Sequence, residues 1–367
     1  MYEYDKRVVM TLDAGGTNFV FSAIQGCREV VEPICLPAVS DNLLHCLSVL
    51  VKGFNAVKEL LPVEPVAISF AFPGPADYKH GVIGDLPNFP VFRGGVALGP
   101  YLQEQFNLPV FINNDGNLFA YGEALVGALP YVNGLLRKNG CNKRFRTLIG
   151  ITLGTGFGAG VVINNELLTG DNGCGGDIWN FRNGLLHDKI SEESVSVRAV
   201  KRVYSELSGD MNEGLTPKDI YDIAEGDKPG DREAAAKSFE TLGKATGDAI
   251  AYILTVIDGI VVIGGGLSGA AKYIMPSLMH ELRGSLSTFS GEIFSRLQMD
   301  VFNLDDVDDL KVFSSYKPSE IQVFGTDKRV VYDLNKYVGV LQTRLTASKA
   351  ISLGAYVFAL NELDRVN

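Results

Sequence analysis

The chain has 367 residues, 46% of them hydrophobic and 21% charged, which excludes a mainly disordered protein and predicts two domains. Lys and Arg number 33 against 43 Asp and Glu, a net charge of −10, and without a long basic run this argues against binding to nucleic acid. Five cysteines, at 27, 35, 46, 141 and 174, form no C-x-x-C pair, so reduced thiols in a cytoplasmic protein are expected rather than a disulfide framework.

The first residues, Met1 to Lys6, lack a basic segment followed by an apolar stretch, so no signal peptide is expected. Residues 7–12, 19–24 and 29–36 read as three strands of an antiparallel meander, the first ending at Asp13-Ala14-Gly15-Gly16-Thr17. Residues 43–61 carry apolar side chains at helical spacing after Ser40-Asp41, which can cap them. Buried-type strands follow at 66–72, closed by Pro73-Gly74-Pro75, and at 108–112, closed by Asn113-Asn114-Asp115-Gly116 before a helical stretch at 118–125. Residues 128–147, with Arg137, Lys138, Lys143, Arg144 and Arg146, read as a solvated basic loop.

The pattern then restarts. Residues 147–153 and 159–163 flank Gly154-Thr155-Gly156, an echo of the strand, Gly/Thr turn and strand at 7–24. Two such echoes predict two related halves facing each other across a cleft. Helices are expected at 194–207, 216–223 and 232–257, then a strand at 259–263 entering Gly264-Gly265-Gly266 and opening a helix. The apolar run 249–263 is broken by Asp258 and Gly259 and is too short to span a bilayer. Strands at 320–324, 329–334 and 337–345 make 293–345 a β-rich excursion, possessing the alternating apolar content of an oligomer contact. A final helix covers 347–363.

Glycine carries the chemical information. Of 41 glycines, 14 fall in Gly15-Gly16, 154–160, 170–176 and 264–269, and clusters of this kind let a backbone approach a ligand closely. Asp13-x-Gly15-Gly16-Thr17 offers N–H groups and a hydroxyl to an anion, and its carboxylate calls for a bridging Mg²⁺. Residues 153–160 repeat that chemistry; no Gly-Lys-Ser/Thr follows, and the run continues into a strand where a dinucleotide fingerprint requires a helix. Gly264-Gly265-Gly266 suits a flat base or ribose lying on backbone. Asp115, at a strand-to-helix switch beside Asn114, suits a catalytic carboxylate flanked by a hydroxyl-binding amide.

These motifs, together with Asn117-x4-Gly122-Glu123, occur in the order seen in the ROK-family sugar kinases, which the chain resembles over about residues 7–290 plus the last helix. The resemblance implies an α/β fold of two RNase-H-like, actin-like ATPase domains around a central cleft. The expected division is 1–115, with helix 347–367 packing back, and 116–346, holding the nucleotide turns and the excursion. It implies ATP and Mg²⁺ as cofactors and transfer of the γ-phosphate to a hexose hydroxyl, with Asp115 as base. Asp13 would hold Mg²⁺ through water or phosphate. Asp13, Gly15, Gly16, Thr17, Gly154, Thr155, Gly156, Gly264, Gly265 and Gly266 would hold the nucleotide. Gly74, Asn88, Asn114, Asp177, Asn180 and Glu192 would hold the sugar.

Two departures stand out. Where the family has Glu-x-Gly-His, this chain has Asp177-Ile178-Trp179-Asn180, so Asp177 matches the Glu and Asn180 the His. Residues 181–200 hold none of the family's zinc cysteines, so no zinc site is expected, although Glu192-x3-Ser196 keeps the spacing that follows them. Trp179 suits stacking on a sugar or filling a core, and His187 has no partner at ligand spacing. Glucose is the implied acceptor; N-acetylmannosamine, fructose and allose stay open because the hydroxyl-reading residues are those that differ, as does a non-catalytic sugar sensor on the same fold. A repressor is not expected, since the first turn begins at residue 13 and leaves no room for a preceding winged helix. The expected partners are a sugar and ATP, with no nucleic acid and no membrane, and a homodimer.

Overall fold

The computed structural model describes residues 2–15, 17–39, 41–85 and 90–366. The chain forms two compact units, residues 1–127 with 160–176 and 345–367, and residues 128–159 with 177–344. The first boundary falls after residue 127 rather than at 115, because the helix that begins at Asp115 packs on the C-terminal helix of its own unit.

The first unit opens with β1 (Val8–Ala14) and β2 (Asn18–Gln25), paired antiparallel. The expected third strand at 29–36 is two short ones, β3 (Arg28–Glu29) and β4 (Ile34–Pro37), each paired to β2; Glu32-Pro33 interrupts them, and proline supplies no N–H to a ladder. Helix α1 (Leu43–Leu60) starts at Asn42, whose side chain accepts the His45 N–H at 2.9 Å, so the cap is one residue beyond Asp41. Strand β5 (Ala67–Ala71), the hairpin β6 (Ala76–Asp77) and β7 (Val82–Ile83), α2 (Leu98–Phe106), β8 (Val110–Asn113) and α3 (Asp115–Leu125) follow. The sheet runs β3-β2-β1-β5-β8, with β1, β5 and β8 parallel. Strand periodicity divides its faces: Val8, Met10 and Leu12 join Cys46, Leu50, Phe54 and Val57 of α1 in one core.

The second unit begins with a correction. Residues 128–138 are helix α4 (Ala128–Lys138), not basic loop: Ala128, Leu129, Val132 and Leu136 are buried along one stripe, and Arg137 and Lys138 occupy the last turn, where cations favour the helix dipole. Then come β9 (Thr147–Leu153) and β10 (Phe157–Ile163), the latter carrying the chain into the first unit, where it pairs with β11 (Glu166–Leu167). Helices α5 (Val197–Ser208), α6 (Pro217–Glu225) and α7 (Arg232–Val256) precede β12 (Ile260–Gly264) and α8 (Ala271–Leu282). Strands β13 (Ser285–Ser287) and β14 (Ile293–Ser295) form a hairpin; β15 (Asp300–Asn303), α9 (Val307–Phe313), the hairpin β16 (Ser319–Gln322) and β17 (Arg329–Tyr332), and β18 (Tyr337–Gln342) complete the unit. Strand β18 pairs parallel with both β12 and β15. Residues 293–345 are therefore not wholly an excursion: β15 and β18 belong to the main sheet, and the two hairpins stand outside it.

The chain returns to the first unit as α10 (Ala347–Val366), which packs on α3, β1, β5 and β8. Helices α3 and α10 touch backbone to backbone. A methyl group at Gly122 would meet the Ala350 carbonyl, and one at Gly354 the Leu118 carbonyl. Around this crossing Ala71, Leu118 and Ala355 are buried, and the Phe358 ring meets Tyr121 and Phe111 edge-on at 5.8 and 6.3 Å.

Candidate active site

In the first unit, strand register assembles the site. Asp13 lies opposite Ala71, and Ala71 opposite Asn113, so the carboxyl ends of three parallel strands share one sheet edge. The chain leaves that edge at Asn114 and Asp115 to start α3. Ligands of α/β folds bind at such carboxyl edges. Asn114 caps the helix, its side chain accepting the Gly116 N–H at 2.8 Å. The Asp115 carboxylate accepts the same N–H at 2.8 Å.

Asp115 is open to solvent, yet the protein gathered around it raises its carboxyl above the ordinary aspartate range. The N–H groups of Gly116 and Asp115 oppose that shift, and the charge of Asp13 adds a smaller push upward. Asp13 is exposed, and among the described residues no side chain or backbone group bonds its carboxylate. A free hard oxygen donor of this kind fits Mg²⁺, which keeps most of its water and needs few protein ligands. Gly15 has room for nothing larger, since a methyl group there would stand 2.9 Å from the Asn18 carbonyl. Thr17 is exposed beside it, and its carbonyl accepts the Ala38 N–H. Gly74 lies in the chain beyond β5, next to the Tyr78 hydroxyl. Gly16 and Asn88 lie outside the described residues.

Asn113 and Asn117 stood in the sequence motif without a role of their own. The buried Asn113 accepts the Asn114 N–H at 2.8 Å and the Asn117 side-chain amide at 3.0 Å. This pair fixes the backbone on either side of Asp115. Its sequence signal is an Asn four residues from an Asn across a strand-to-helix switch.

In the second unit, Gly154-Thr155-Gly156 is the turn between β9 and β10, closed by Gly154 N–H on the Gly156 carbonyl at 3.1 Å. Thr155 is exposed, and a methyl group at Gly154 would touch nothing. The third glycine run lies against this turn: Gly264 is in register with Thr152, and Gly265, at φ +92°, packs on the Leu153 backbone where a side chain has no space. Gly266 opens a short 3-10 segment (Gly266–Ala270) that leads into α8 and is itself open to approach. Two glycine runs are thus joined into one bare backbone surface, suited to phosphate and ribose.

Asp177 and Asn180 bracket a single 3-10 turn (Ile178–Asn180), both exposed, with Trp179 39% exposed beside them. Trp179 therefore does not fill a core. Burial raises the Asp177 carboxyl, and the Trp179 indole N–H pulls it back down. The cysteine-free segment is organised by Asn183, which is 1% exposed. Its amide donates to the Ile190 carbonyl and the Ser194 hydroxyl, and its oxygen accepts from Leu185 and Leu186 N–H. His187 is exposed in the loop this amide closes.

Glu192, expected at the sugar, has two partners within its own unit. One carboxylate oxygen accepts the Phe157 N–H at 3.0 Å, and the other pairs with Arg198 at 2.8 Å. Among the described residues no group of three or more His, Cys, Asp and Glu is gathered to hold a metal ion, and no helix is long and apolar enough to cross a membrane.

A family model described as the ROK family matches residues 9–293. A glucokinase crystal structure from Parabacteroides distasonis is 56% identical, with a TM-score of 0.89 over 98% of this chain and 99% of that one. The glucokinase of Thermotoga maritima is 26% identical over 306 residues, 75% of this chain and 90% of that protein. A ROK family glucokinase from Streptomyces griseus, solved with glucose and AMPPNP, shares the fold at 18% identity, with a TM-score of 0.61 over 95% and 98% of the two chains.

Proposed function

The chain belongs to the ROK family, and on that premise we propose that it transfers the γ-phosphoryl group of ATP to a hydroxyl of glucose. The observation that carries the reading is Asp115, a solvent-accessible carboxylate without an ion-pair partner among the described residues, on the sheet edge that also ends in Asp13. Its raised pKa makes it a better proton acceptor than an ordinary aspartate. The glucokinase of Parabacteroides distasonis, more than half identical over nearly the whole chain, supports glucose as acceptor.

In this reading Asp115 takes the proton of the sugar hydroxyl as its oxygen bonds to the γ-phosphorus, and ADP departs with the bridging oxygen. Asn114 caps α3 with its oxygen, which leaves its amide N–H groups to hold a neighbouring hydroxyl. Asp177 and Asn180 would read further hydroxyls, with Gly74 and Asn88 completing the sugar side. The backbone of Gly15, Gly16 and Thr17, of Gly154, Thr155 and Gly156, and of Gly264, Gly265 and Gly266 would hold ATP. Bound Mg²⁺ would neutralise phosphate charge, with Asp13 orienting it through water.

A cytoplasmic location is supported by the unpaired state of all five cysteines, and the net charge supports a partner set without nucleic acid. Incubation of the protein with ATP and a panel of hexoses and N-acetylhexosamines, read by coupled ADP release, tests the function. Glucose is expected to give the highest kcat/KM. Tight sugar binding without turnover would replace the kinase by a sugar sensor, a reading that the altered residues 177–180 favour.

A further inference from the structure

The basic run after α4 turns one of its lysines inward. Lys143 is half-buried, its ammonium 3.6 Å from the centre of the Tyr337 ring and 5.2 Å from that of Phe145, and it donates to the Asn335 carbonyl at 3.3 Å. Tyr337 is a fixed floor. It is 2% exposed, its hydroxyl lies 3.6 Å from the Cys141 sulfur, and Tyr316 and Phe313 pack on its ring at 4.7 and 5.1 Å. A cleft of about 520 Å³ opens against this ring, bounded by the loop after α4, the turn before β12 and the chain that links β17 to β18. Strands β9, β12, β18 and β15 are parallel. The cleft sits where β12 and β18 begin, whereas the glycine runs 154–156 and 264–266 sit where β9 and β12 end. The length of β12, roughly 16 Å, separates the two places.

The charges of the cleft are balanced and unjoined. Lys143 and Lys336 line it together with Asp258 and Asp333, and among the described residues no ion pair involves any of the four. One Asp333 oxygen accepts the backbone and side-chain N–H groups of Asn335 at 2.9 and 2.8 Å, which leaves the other open. Burial pulls the Lys143 ammonium below the ordinary lysine range, and the charges of Asp333 and Asp258 push it back up. Asp258, Asp333 and Lys336 are exposed and stay available to a ligand. A cation alone would be repelled by the two lysines, and an anion alone by the two aspartates. A molecule carrying both signs satisfies all four. Val331 and Tyr332 add an apolar wall.

We propose that this cleft is a binding site for a free α-amino acid with an apolar side chain. The carboxylate meets the lysines, the ammonium meets the aspartates, and the side chain lies against Val331 and Tyr332. The site is contained in the second unit and does not depend on the kinase reading.

The test is calorimetric titration of the full-length protein with phenylalanine and leucine, and with phenethylamine and 3-phenylpropionate, which keep the phenylalanine skeleton and lack one charge each. Phenylalanine or leucine is expected to bind with a Kd on the order of 1 mM or tighter. Each single-charge analogue should bind at least about tenfold more weakly than phenylalanine, the size of one lost charge-assisted contact. Asp258→Asn and Lys336→Met, both at exposed positions, should weaken the amino acid by about five- to tenfold on the same scale and leave the affinities for glucose and for ADP with Mg²⁺ within about twofold. Absence of binding by both amino acids overturns the proposal. So do analogues that bind as well as phenylalanine, which would reduce the cleft to an apolar surface, and variants that leave amino-acid affinity unchanged, which would place the binding elsewhere. If a variant does not fold, the analogue series on the wild type decides.

Discussion

The surroundings of Asp115 favour its neutral form over its charged one, and this makes two measurements move in opposite directions. Asp115→Asn keeps the shape and an acceptor for the Gly116 N–H, so the helix start survives. Losing the base should lower kcat by roughly 10²–10⁴ with KM little changed. The same variant should be slightly more heat-stable at pH 7–8. The folded carboxyl titrates above its unfolded value, so ionisation costs folding energy at neutral pH and nothing once pH falls below about 4. The gain in Tm should therefore disappear in acid; a gain that persisted there would assign it to something other than charge. Asp177→Asn should raise the KM for sugar more than it lowers kcat, because an exposed contact serves ground and transition states alike, and steady-state kinetics with glucose varied would show it. Asp13 and Asp115 were legible in the sequence because each ends a β-rich run beside Gly or Asn. Asn183 and Arg198 were not. Their partners are backbone groups or side chains brought close by folding, and no spacing in the chain encodes such a contact. Glu192 was legible as a candidate, but its bonds to Phe157 and Arg198 were not, since spacing does not show which way a carboxylate faces.

Helix α10 meets α3 across two glycines, and neither has slack. Gly354→Ala should destabilise the protein by about 1–3 kcal/mol, the usual cost of forcing a methyl group into a filled contact. Gly122→Ala should cost a similar amount, and the double variant less than the sum, because separating the helices once relieves both clashes. Urea unfolding of the three variants measures this. Elsewhere, element type followed apolar pattern closely, and the exceptions share a cause. Helix α4 was hidden because its basic residues crowd its last turn and the loop after it, masking the apolar stripe. Strands β15 and β18 lie far apart in sequence from β12, and only pairing shows that they complete its sheet. The hairpin β16–β17 falls on the expected strands at 320–324 and 329–334, whereas β13–β14 was not foreseen. Phe289, Ile293, Phe324, Val331 and Leu334 are all more than 60% exposed on or beside them, and isolated hairpins are seldom stable alone. Replacing residues 319–332 by a short Gly-Ser linker should lower the sedimenting mass if this hairpin meets a second copy; an unchanged mass with folding intact would exclude that contact.

On the scale of the whole molecule, the first unit is discontinuous, because its C-terminal helix covers strands made from the first residues of the chain. Removing residues 347–367 should abolish turnover and remove hydrogen-exchange protection from β1, β5 and β8, while α7 and α8, which pack on each other within the second unit, keep theirs. Protection retained in β1 and β5 would show that the remaining core suffices.

That discontinuity also sets a schedule for synthesis. A ribosome finishes α3 roughly 220 residues before it begins α10, which at about 5–20 residues per second is a delay on the order of 10–45 s. Throughout it, the faces of Ala71, Phe111, Leu118 and Tyr121 that later meet α10 await their cover. The N-terminal sheet therefore matures last although it emerges first. A ribosome stalled near the end of the message would release a chain whose defect lies at the opposite end from its truncation.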